Sequence, residues 1–375
     1  MFKSIVCKMV SKAYRYICET RYQRECSRTL DAFWRRHGAA AVRSDSYFPD
    51  QELKTYAQIQ EEIGALYRSG TAGWTLENIY EDYMQFGLDR LSQNVRNYVF
   101  QKEFDLLRNA KNPSYAEMLE NKIFSQVYLA ARGIPVPKLF GQVDQRGVLH
   151  SMDGEMSQNF HEWMSTREDP VFCKLPDGQQ GTSCFVLARQ GDRYLKNGKE
   201  CSMQEIEALT PNLQIEEVIT QHEDMSAIYP GCVNTCRIVT VSIDGKPRYF
   251  LGDAFFGSNG SCVSNGHFGG IKVPYDKDGR LGEYGMKGLE FGGGTFRKHP
   301  DTGAVFAECR IPCFAEVVEL ALKAHGTMPF VHSIGWDIAI TPTGPVIIEG
   351  NSQWGTAGHQ AFRGGLRKEV ESLFA

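Results

Sequence analysis

The stretch that decides the fold runs from Val331 to Gly355 and reads VHSIGWDIAITPTGPVIIEGNSQWG. Two apolar runs in it flank the tetrapeptide TPTG at 341–344. Proline and glycine at such a place are typical of a tight reversal of the chain. The pattern therefore predicts a β-hairpin with its turn at 341–344.

Three side chains that carry oxygen atoms lie on this hairpin. Asp337 is in the first strand, while Glu349 and Asn351 end the second strand and share a face there because strand side chains alternate. A fold at 341–344 can bring Asp337 beside the other two. Hard oxygen ligands suit Mg²⁺, which usually also keeps waters and substrate phosphates. Spacing alone favours a magnesium site and a rim of solvated carboxylates equally, so both interpretations stay open.

Length and composition describe an ordinary globular protein. The chain has 375 residues, enough for two or three domains, with 42% hydrophobic and 23% charged residues. A net charge of −4 gives no reason to expect nucleic-acid binding. Residues 1–43 are basic, with ten Lys/Arg against three Asp/Glu. The favoured interpretation is a solvated basic face packed on the protein, and contact with an anionic membrane surface is the alternative.

Targeting signals and cysteine usage predict a cytoplasmic protein. No apolar run reaches the ~18–20 residues that a membrane span needs. Four basic residues interrupt the apolar start, so we expect no signal peptide. Eleven cysteines without a CxxC pair indicate reduced thiols rather than a disulfide framework. If the basic start does contact a membrane, the protein would be peripheral at its inner face.

Residues 1–110 are predicted to be helical. Apolar residues recur at helical spacing in Met1–Ile17 and in 51–67, and Thr75 is typical of the residue that begins a third helix. Asn-Pro at 112–113 marks a boundary, after which a helix is predicted over 114–131. Lys122 lies in that helix and, taken alone, is interpreted as a surface lysine.

The middle of the chain is predicted to form strands. The apolar run Val171–Lys174 ends in a lysine and is followed by a glycine-containing polar loop at 175–183. Such a loop can lay backbone N–H groups against a phosphate, with Lys174 supplying a positive charge. A β-hairpin with a flexible tip explains the loop equally well. The predicted strand over 214–221 either offers backbone groups to an adenine edge or is an edge strand.

A charged residue lies in the next predicted strand, Cys232–Ile243. Arg237 needs a partner there, because an unpaired buried charge is costly. A phosphate, a ligand carboxylate or an acid of the hairpin would serve. The glycine-rich segment 257–270 holds Asn265 and His267 and is either a flexible loop or a cover over a ligand. Loop packing is the favoured role for His267. Helices are predicted at 314–325 and 365–374.

These features, in this order, resemble the ATP-grasp superfamily over about 114–355. The segments NTCRIVTV, NGHFGGI and GWDIAITPTGPVIIEGN are similar to the sugar-transfer associated ATP-grasp branch, which is associated with cell-surface polysaccharide synthesis. The resemblance implies an α+β ATP-grasp fold, two α+β subdomains gripping ATP, preceded by a helical N-terminal region. It implies three parts: the helical region 1–110, a linker helix with the small subdomain at 111–212, and the large subdomain with the Mg²⁺ site at 213–375.

The resemblance also assigns roles to individual residues. The predicted catalytic residues are Arg237, which would steady the transferred phosphoryl group, and Lys174. Asp337, Glu349 and Asn351 would bind Mg²⁺. Residues that would contact ATP lie in the phosphate-binding helix and strand, the covering loop, the adenine strand, the ribose position and the glycine-rich segment. They are Lys122, Lys174, Gly178, Gly181, Thr182, Ser183, Glu216, Glu217, Val218, Ile219, Gln221 or Glu223, and Asn265.

The chain departs from the family pattern in two places. Ser264 stands where the branch leads us to expect an acidic residue before Asn265. Many superfamily members carry an α/β domain before the ATP-grasp domain, whereas residues 1–110 of this chain are predicted to be helical. The residues that bind the acceptor in those proteins therefore cannot be mapped onto this chain.

The implied activity is an ATP- and Mg²⁺-dependent ligase that forms a C–N bond through an acyl phosphate and releases ADP and phosphate. Its partners would be a small carboxylate and an amine or sugar-linked acceptor, and not nucleic acid. A phosphotransferase acting on a sugar or alcohol is the first alternative. A nucleotide-binding scaffold without turnover is the second.

Overall fold

A computed structural model describes residues 2–70, 73, 75–152, 157–174, 184–207, 213–264, 266 and 269–374, without the side chains of residues 2–18, 203 and 207. The chain divides into two compact units. The first unit contains residues 1–107 and 355–373, and the second contains residues 108–354 together with Phe374.

The described helices and strands follow in chain order. The helices are α1 (Phe2–Arg36), α2 (Ala39–Ser44), α3 (Tyr56–Ser69), α4 (Leu76–Gln85), α5 (Gln101–Lys111), α6 (Lys122–Ala131), α7 (Phe160–Ser165), α8 (Met203–Glu207), α9 (Glu223–Ile228), α10 (Phe314–Gly326), α11 (Ala357–Arg363) and α12 (Arg367–Phe374). The strands are β1 (Leu139–Val143), β2 (Val148–Ser151), β3 (Gln158–Asn159), β4 (Val171–Lys174), β5 (Phe185–Gln190), β6 (Arg193–Lys196), β7 (Lys199–Cys201), β8 (Leu213–Glu217), β9 (Thr235–Ile243), β10 (Lys246–Phe256), β11 (Ile271–Pro274), β12 (Gly285–Met286), β13 (Thr295–Phe296), β14 (Ser333–Thr341) and β15 (Gly344–Asn351). Short 3₁₀ helices lie at Val95–Asn97, Ser114–Glu120, Leu289–Phe291 and Phe306–Glu308.

The first unit is helical where the sequence predicts helices. Thr55 begins α3 with a capping box, in which its side chain accepts from the Gln58 amide and the Gln58 side chain accepts from the Thr55 amide. Thr75 begins α4 as predicted, because its hydroxyl accepts from the amide of Asn78 at 3.1 Å. The first helix is much longer than predicted, since α1 runs to Arg36 rather than ending near residue 17.

The single helix predicted over 114–131 is wrong, because the structure divides this segment in two. A 3₁₀ helix ends at Glu120, and α6 begins at Lys122. Asn121 stands between them, and its side chain accepts from the amide of Phe124 at 2.9 Å. An asparagine that caps a helix in this way leaves the helical conformation itself, so the chain turns there. Lys122 is therefore the first residue of α6 and not a residue in the middle of a helix.

The second unit contains an antiparallel eight-stranded sheet in the order β3-β2-β1-β8-β4-β5-β6-β7. One face of this sheet packs on α7, and the core there includes Phe160, Leu187 and Ile215. The strand β8 lies in the interior of the sheet and ends at Glu217. The strand predicted over 214–221 therefore exists but is shorter than predicted, because residues 218–221 leave the sheet.

The other sheet of this unit has seven strands in the order β13-β12-β11-β10-β9-β14-β15. Apolar side chains of alternate residues, such as Ile238 and Trp336, lie on one face and pack against α10. The predicted hairpin is confirmed as β14 and β15, which pair through a turn at 342–343. Buried polar groups on the packed face are satisfied: Trp336 Nε1 donates to Thr240 Oγ1 at 2.9 Å, and His325 Nδ1 lies 2.7 Å from the same oxygen.

Three further observations bear on the predicted organisation. In the part of the chain that the structure describes, no helix combines the length and apolar character needed to cross a membrane. The nine cysteines for which side chains are described are free thiols. Residues 355–373 group with the helical first unit, whereas the sequence placed them with the large subdomain. The three-part division at 110 and 212 stays a prediction.

Candidate functional site

Four charged residues form a row across the seven-stranded sheet. Asp337 on β14 pairs with Glu349 on β15 and, on its other side, with Arg237 on β9. Arg237 in turn pairs with Asp253 on β10. Residues directly opposite each other in antiparallel strands project from the same face. The face opposite α10 therefore presents the row Glu349, Asp337, Arg237 and Asp253.

A β-bulge brings Glu349 and Asn351 to this face. Near the turn, Ile338 pairs with Ile347, but the register shifts by one residue so that Asp337 pairs with Glu349. Ile348, between Ile347 and Glu349, is the extra residue of the bulge. If the ladder instead paired Ile348 with Asp337, alternation would place Glu349 opposite Trp336, on the face covered by α10. Bulges often aim side chains in this way beside functional sites.

Arg237 forms a two-pronged ion pair with Asp337. Its Nε donates to Asp337 Oδ1, and a terminal nitrogen donates to Oδ2 at 2.7 Å. The two side chains are only 19% and 12% exposed. Burial alone would lower the pKa of Arg237, but the charge and hydrogen bonds of Asp337 raise it. The guanidinium therefore stays protonated on this face.

Glu349 and Asn351 complete a group of oxygen-bearing side chains. The Asn351 amide lies 3.5 Å from Asp337 Oδ2 and 3.4 Å from Glu349 Oε1. Burial and the facing charge of Asp337 raise the pKa of Glu349 to about 7, while Arg237 and Lys122 act in the opposite direction. A buried carboxylate, Asp337, that disfavours the charge of a half-buried neighbour, Glu349, suits a divalent cation between them. These three residues therefore fit the predicted metal.

The third ligand of such a site has to be an amide. Within the described ranges, no group of three or more His, Cys, Asp or Glu side chains is arranged to hold a metal ion. Two carboxylates and the Asn351 amide are nevertheless a normal ligand set for Mg²⁺, which binds oxygen and completes its shell with water and phosphate.

A chain of buried polar groups holds Lys174 on the eight-stranded sheet. Its Nζ lies 2.5 Å from Glu216 Oε1, and the two side chains are 7% and 3% exposed. Gln214 donates to the same Glu216 oxygen and to Gln126 Oε1 at 2.8 Å. Gln126 on α6 donates to the carbonyl of Pro137 at 2.6 Å. The ammonium group of Lys174 is thus fixed through two strands and a helix.

Lys122 lies close to residues of both sheets. Its charge acts on the pKa of Glu349, which belongs to the seven-stranded sheet. Burial raises the pKa of the Cys184 thiol at the start of the eight-stranded sheet's β5, and the charges of Lys122 and Lys174 both act to lower it. The two predicted lysines and the hairpin acids are therefore brought into one neighbourhood.

The segment after β8 has one side chain that is already engaged. Gln221 donates to Ser226 Oγ at 3.0 Å and accepts from the amide of Asn234 at 2.6 Å. Glu223 is exposed at the start of α9. Glu217 is occupied in part, since its amide donates to the Lys138 carbonyl and its carboxylate accepts from the Lys138 amide. Val218 and Ile219 are half-buried and follow the strand.

Several predicted site residues lie outside the described residues. They are Gly178, Gly181, Thr182, Ser183 and Asn265, and His267 lies outside as well. Of the glycine-rich segment, Ser264 is described and its hydroxyl lies 3.4 Å from that of Thr235 on β9. Thr235 is two residues from Arg237 on the same strand, so this part of the segment lies beside the charged row.

The sequence prediction missed three residues of this region. Asp253 belongs to the charged row and is 2% exposed, and Gln126 and Gln214 hold the Lys174 partner. A signal existed for Asp253, because an acid inside the apolar run YFLGDAFF needs a partner as much as Arg237 does. Glutamine carries no charge and is common on surfaces, so the sequence held no comparable signal for the other two.

The chain belongs to the sugar-transfer associated ATP-grasp family, whose model matches residues 101–373. The predicted fold class is confirmed: an α+β ATP-grasp fold preceded by a helical N-terminal region. A search of curated proteins found no match.

Solved structures with a similar fold include three ligases. The N5-carboxyaminoimidazole synthetase of Staphylococcus aureus with ADP is 13% identical over 70% of this chain and 53% of that chain, with a TM-score of 0.39. The VanG D-Ala:D-Ser ligase of Enterococcus faecalis is 14% identical over 69% and 62%, with a TM-score of 0.39. The L-amino acid ligase of Bacillus licheniformis is 12% identical over 65% and 43%, with a TM-score of 0.36. The chain thus spans about half the length of the first of these, and likeness at this level assigns no substrate.

Proposed function

We propose that the chain is an ATP- and Mg²⁺-dependent ligase that activates a carboxylate as an acyl phosphate and joins it to an amine or a related nucleophile. One observation carries the proposal. Asp337, Glu349 and Asn351 converge on one sheet face, and Lys122 lies near enough for its charge to act on Glu349. Oxygen ligands beside a lysine suit a metal that is shared with a polyanion.

The two lysines would hold the phosphates of ATP. Lys174 is buried and is fixed by Glu216, so its charge is presented in one place. Lys122 begins α6, where helical N–H groups also favour an anion. The covering loop with Gly178, Gly181, Thr182 and Ser183 keeps its predicted role, as does Asn265.

The base and the ribose would lie beyond β8. Residues 217–219 would offer backbone groups to adenine, with the Glu217 carbonyl and the Ile219 amide as the polar atoms, because the Glu217 amide is engaged. The side-chain amide of Gln221 is also engaged, which favours Glu223 over Gln221 as the ribose ligand.

Asp337, Glu349 and Asn351 would hold Mg²⁺. When bound there, the ion neutralises phosphate charge and orients the γ-phosphoryl group. Glu349 has to lose any proton that it carries before it can act as a ligand, and the charges of Arg237 and Lys122 favour that loss. Arg237 projects from the same face and would stabilise the equatorial oxygens of the transferred group.

The reaction then has two balanced steps. A carboxylate oxygen of the substrate attacks the γ-phosphorus, the bond to the bridging oxygen breaks, and ADP leaves. The amine next attacks the acyl carbon, releases inorganic phosphate and loses a proton. Positioning and charge neutralisation account for catalysis of this kind, so the chain need not supply a covalent nucleophile.

Family membership supports a sugar-linked acceptor in cell-surface polysaccharide biosynthesis. The free thiols of the nine described cysteines support a reducing, cytoplasmic compartment.

Calorimetric titration with ATP tests the metal site. In the double variant Asp337→Ala/Glu349→Ala, we expect affinity for Mg-ATP to fall by at least about 100-fold, because two ligands are lost and supporting residues alone are worth 10–100-fold. In EDTA, ATP affinity should not fall, because two negative charges near the phosphates have been removed. The matched control Asp244→Ala/Glu283→Ala removes two exposed acids and should bind as the wild type does. Unchanged Mg-ATP affinity in the site variant would contradict the assignment.

Trapping with hydroxylamine tests the reaction class. Incubation with ATP and a pool of amino acids and sugar acids should yield ADP, and hydroxylamine should convert the activated substrate to a hydroxamate that mass spectrometry identifies. A stable phosphoester would instead identify a phosphotransferase. ATP binding without ADP formation across the pool would support the scaffold alternative.

A further inference from the structure

The Asp337 carboxylate has two roles, as the partner of Arg237 and as a proposed ligand of the metal ion. Asp337 accepts two hydrogen bonds from Arg237, and it also faces Glu349 and Asn351. A guanidinium and a divalent cation carry charge of the same sign, and their repulsion is strong in a site with little water. When a cation takes Asp337 and no transferred phosphoryl group is bound, Arg237 therefore needs another acceptor.

Asp253 is placed to be that acceptor. It lies directly opposite Arg237 on β10, while Asp337 lies directly opposite Arg237 on β14. Directly opposed residues have Cβ atoms about 4.5–5.5 Å apart, within easy reach of an arginine side chain. Asp253 is 2% exposed, so its carboxylate is held inside the protein beside Arg237 rather than in solvent.

The charges of the row support the same division. Once Glu349 is deprotonated, as a metal ligand has to be, the row itself holds three acids, Asp253, Asp337 and Glu349, against the single arginine. Charge is balanced locally when Arg237 pairs with Asp253 and the cation pairs with Asp337 and Glu349, because each half of the row is then neutral. Buried charges are stable only when they are paired at short range.

We propose that Asp253 is a positioning residue that receives Arg237 when a divalent cation displaces it from Asp337. The inference rests on the proposed function, because it requires metal at Asp337 and Glu349. It adds a second state of Arg237, in which the guanidinium has moved along the sheet from β14 toward β10. In that state both oxygens of Asp337 are available to the cation.

Binding of Mn²⁺ tests the proposal, since this paramagnetic ion substitutes for Mg²⁺ at oxygen sites and its free concentration is measured by electron paramagnetic resonance. At saturating ADP, Asp253→Asn should bind Mn²⁺ about tenfold more weakly than the wild type, because Arg237 then lacks its second acceptor. Arg237→Met should bind Mn²⁺ more tightly. Asp253→Glu should restore most of the affinity that Asp253→Asn loses.

A double-variant cycle separates positioning from the general effect of removing a negative charge. In the Arg237→Met background, Asp253→Asn should change Mn²⁺ affinity by less than about threefold, because no guanidinium has to move. An equal loss in both backgrounds would overturn the proposal. The control Asp244→Asn makes the same charge change seven residues from Arg237, just beyond the end of β9 and about 23 Å away, and should have no effect.

The outcomes distinguish this inference from the proposed function. Wild-type protein that binds no Mn²⁺ with ADP would overturn both. If the wild type binds Mn²⁺ and Asp253→Asn binds it with the same affinity, only the inference is overturned. Thermal unfolding in EDTA checks that each variant is folded. If Asp253→Asn does not fold, Arg237→Met still decides, because affinity that is unchanged or weaker in that variant contradicts the proposal.

Discussion

Each sheet of the second unit holds one nearly buried cation–acid pair, and the two pairs differ in what surrounds them. On the eight-stranded sheet, Lys174 pairs with Glu216, which also accepts a hydrogen bond from a glutamine. On the seven-stranded sheet, Arg237 pairs with Asp337, which faces a second carboxylate. Lys122 acts on groups of both sheets.

The difference lies in the local charge. Around Lys174, the two lysines and Glu216 leave an excess of one positive charge, which suits a phosphate group. Around Arg237, three acids surround one arginine once Glu349 is deprotonated, which suits a divalent cation. The same kind of ion pair can therefore prepare one sheet for an anion and the other for a cation. A nucleotide with its metal ion carries both.

The largest expected effect tests whether the Lys174 pair is needed for stability. Glu216→Ala should lower the free energy of unfolding by about 3–5 kcal/mol, because it leaves a buried ammonium without a partner. Urea unfolding at pH 7, followed by fluorescence, measures this. The double variant Glu216→Gln/Lys174→Met should recover much of the loss. On the same sheet, Glu200→Ala breaks the exposed pair with Arg193 and should cost no more than about 0.5 kcal/mol. Equal effects in both variants would mean that Lys174 reaches another acceptor.

A smaller effect should appear on the packed face of the seven-stranded sheet, where the polar groups are neutral. Burial lowers the pKa of His325 to about 4. Because the unfolded side chain has a pKa near 6.5, the unfolded state binds the proton first as the pH falls. The stabilising contribution is complete above about pH 6.5 and disappears toward pH 4, with a loss of about 2 kcal/mol by pH 5.

The variant His325→Gln isolates this contribution. Its free energy of unfolding should fall between pH 7 and pH 5 by about 2 kcal/mol less than that of the wild type, because only the titrating ring is removed. Parallel pH dependence of the two proteins in urea unfolding would contradict the assignment.

The smallest effect concerns the glutamine that distinguishes the two pairs. Gln214→Met keeps the volume but removes the hydrogen bonds to Glu216 and Gln126, and should lower stability by about 1–2 kcal/mol. On the proposed function, calorimetry should also show ATP affinity reduced a few-fold, because Glu216 and with it Lys174 lose their fixed position. Half-buried Gln142, opposite Gln214 on β1, provides the control Gln142→Met. An equal loss in the control would show that any polar residue on this face suffices.

The sequence predicts the two pairs unequally. It pointed to both cations and to the hairpin acids, because charge inside an apolar strand is visible without a structure. It also predicted that Glu349 and Asn351 share a face. It held no information that this is the face of Asp337, since a regular two-residue turn would place Glu349 opposite Trp336. The register is set by pairing across the sheet, which no local pattern records.

The helix of Lys122 shows a second limit of the same kind. Apolar spacing over 114–131 is continuous, so periodicity gives one helix. The break at Asn121 depends on a single capping hydrogen bond, and asparagine is tolerated inside helices at modest cost. The covering loop lies outside the described residues, so its predicted residues stay predictions.

The extra residue at Ile348 sets a condition for moving this site to another protein. If Asp337, Glu349 and Asn351 were copied onto a regular hairpin of the same length, Glu349 and Asn351 would project from the opposite face to Asp337. The segment that can be copied unchanged is the strand Gly335–Ile338 with the five residues Ile347–Asn351, including an isoleucine that binds nothing in the site. A regular hairpin would need one residue fewer in its second strand to place Glu349 opposite Asp337, because Ile348 is the residue that the ladder leaves unpaired.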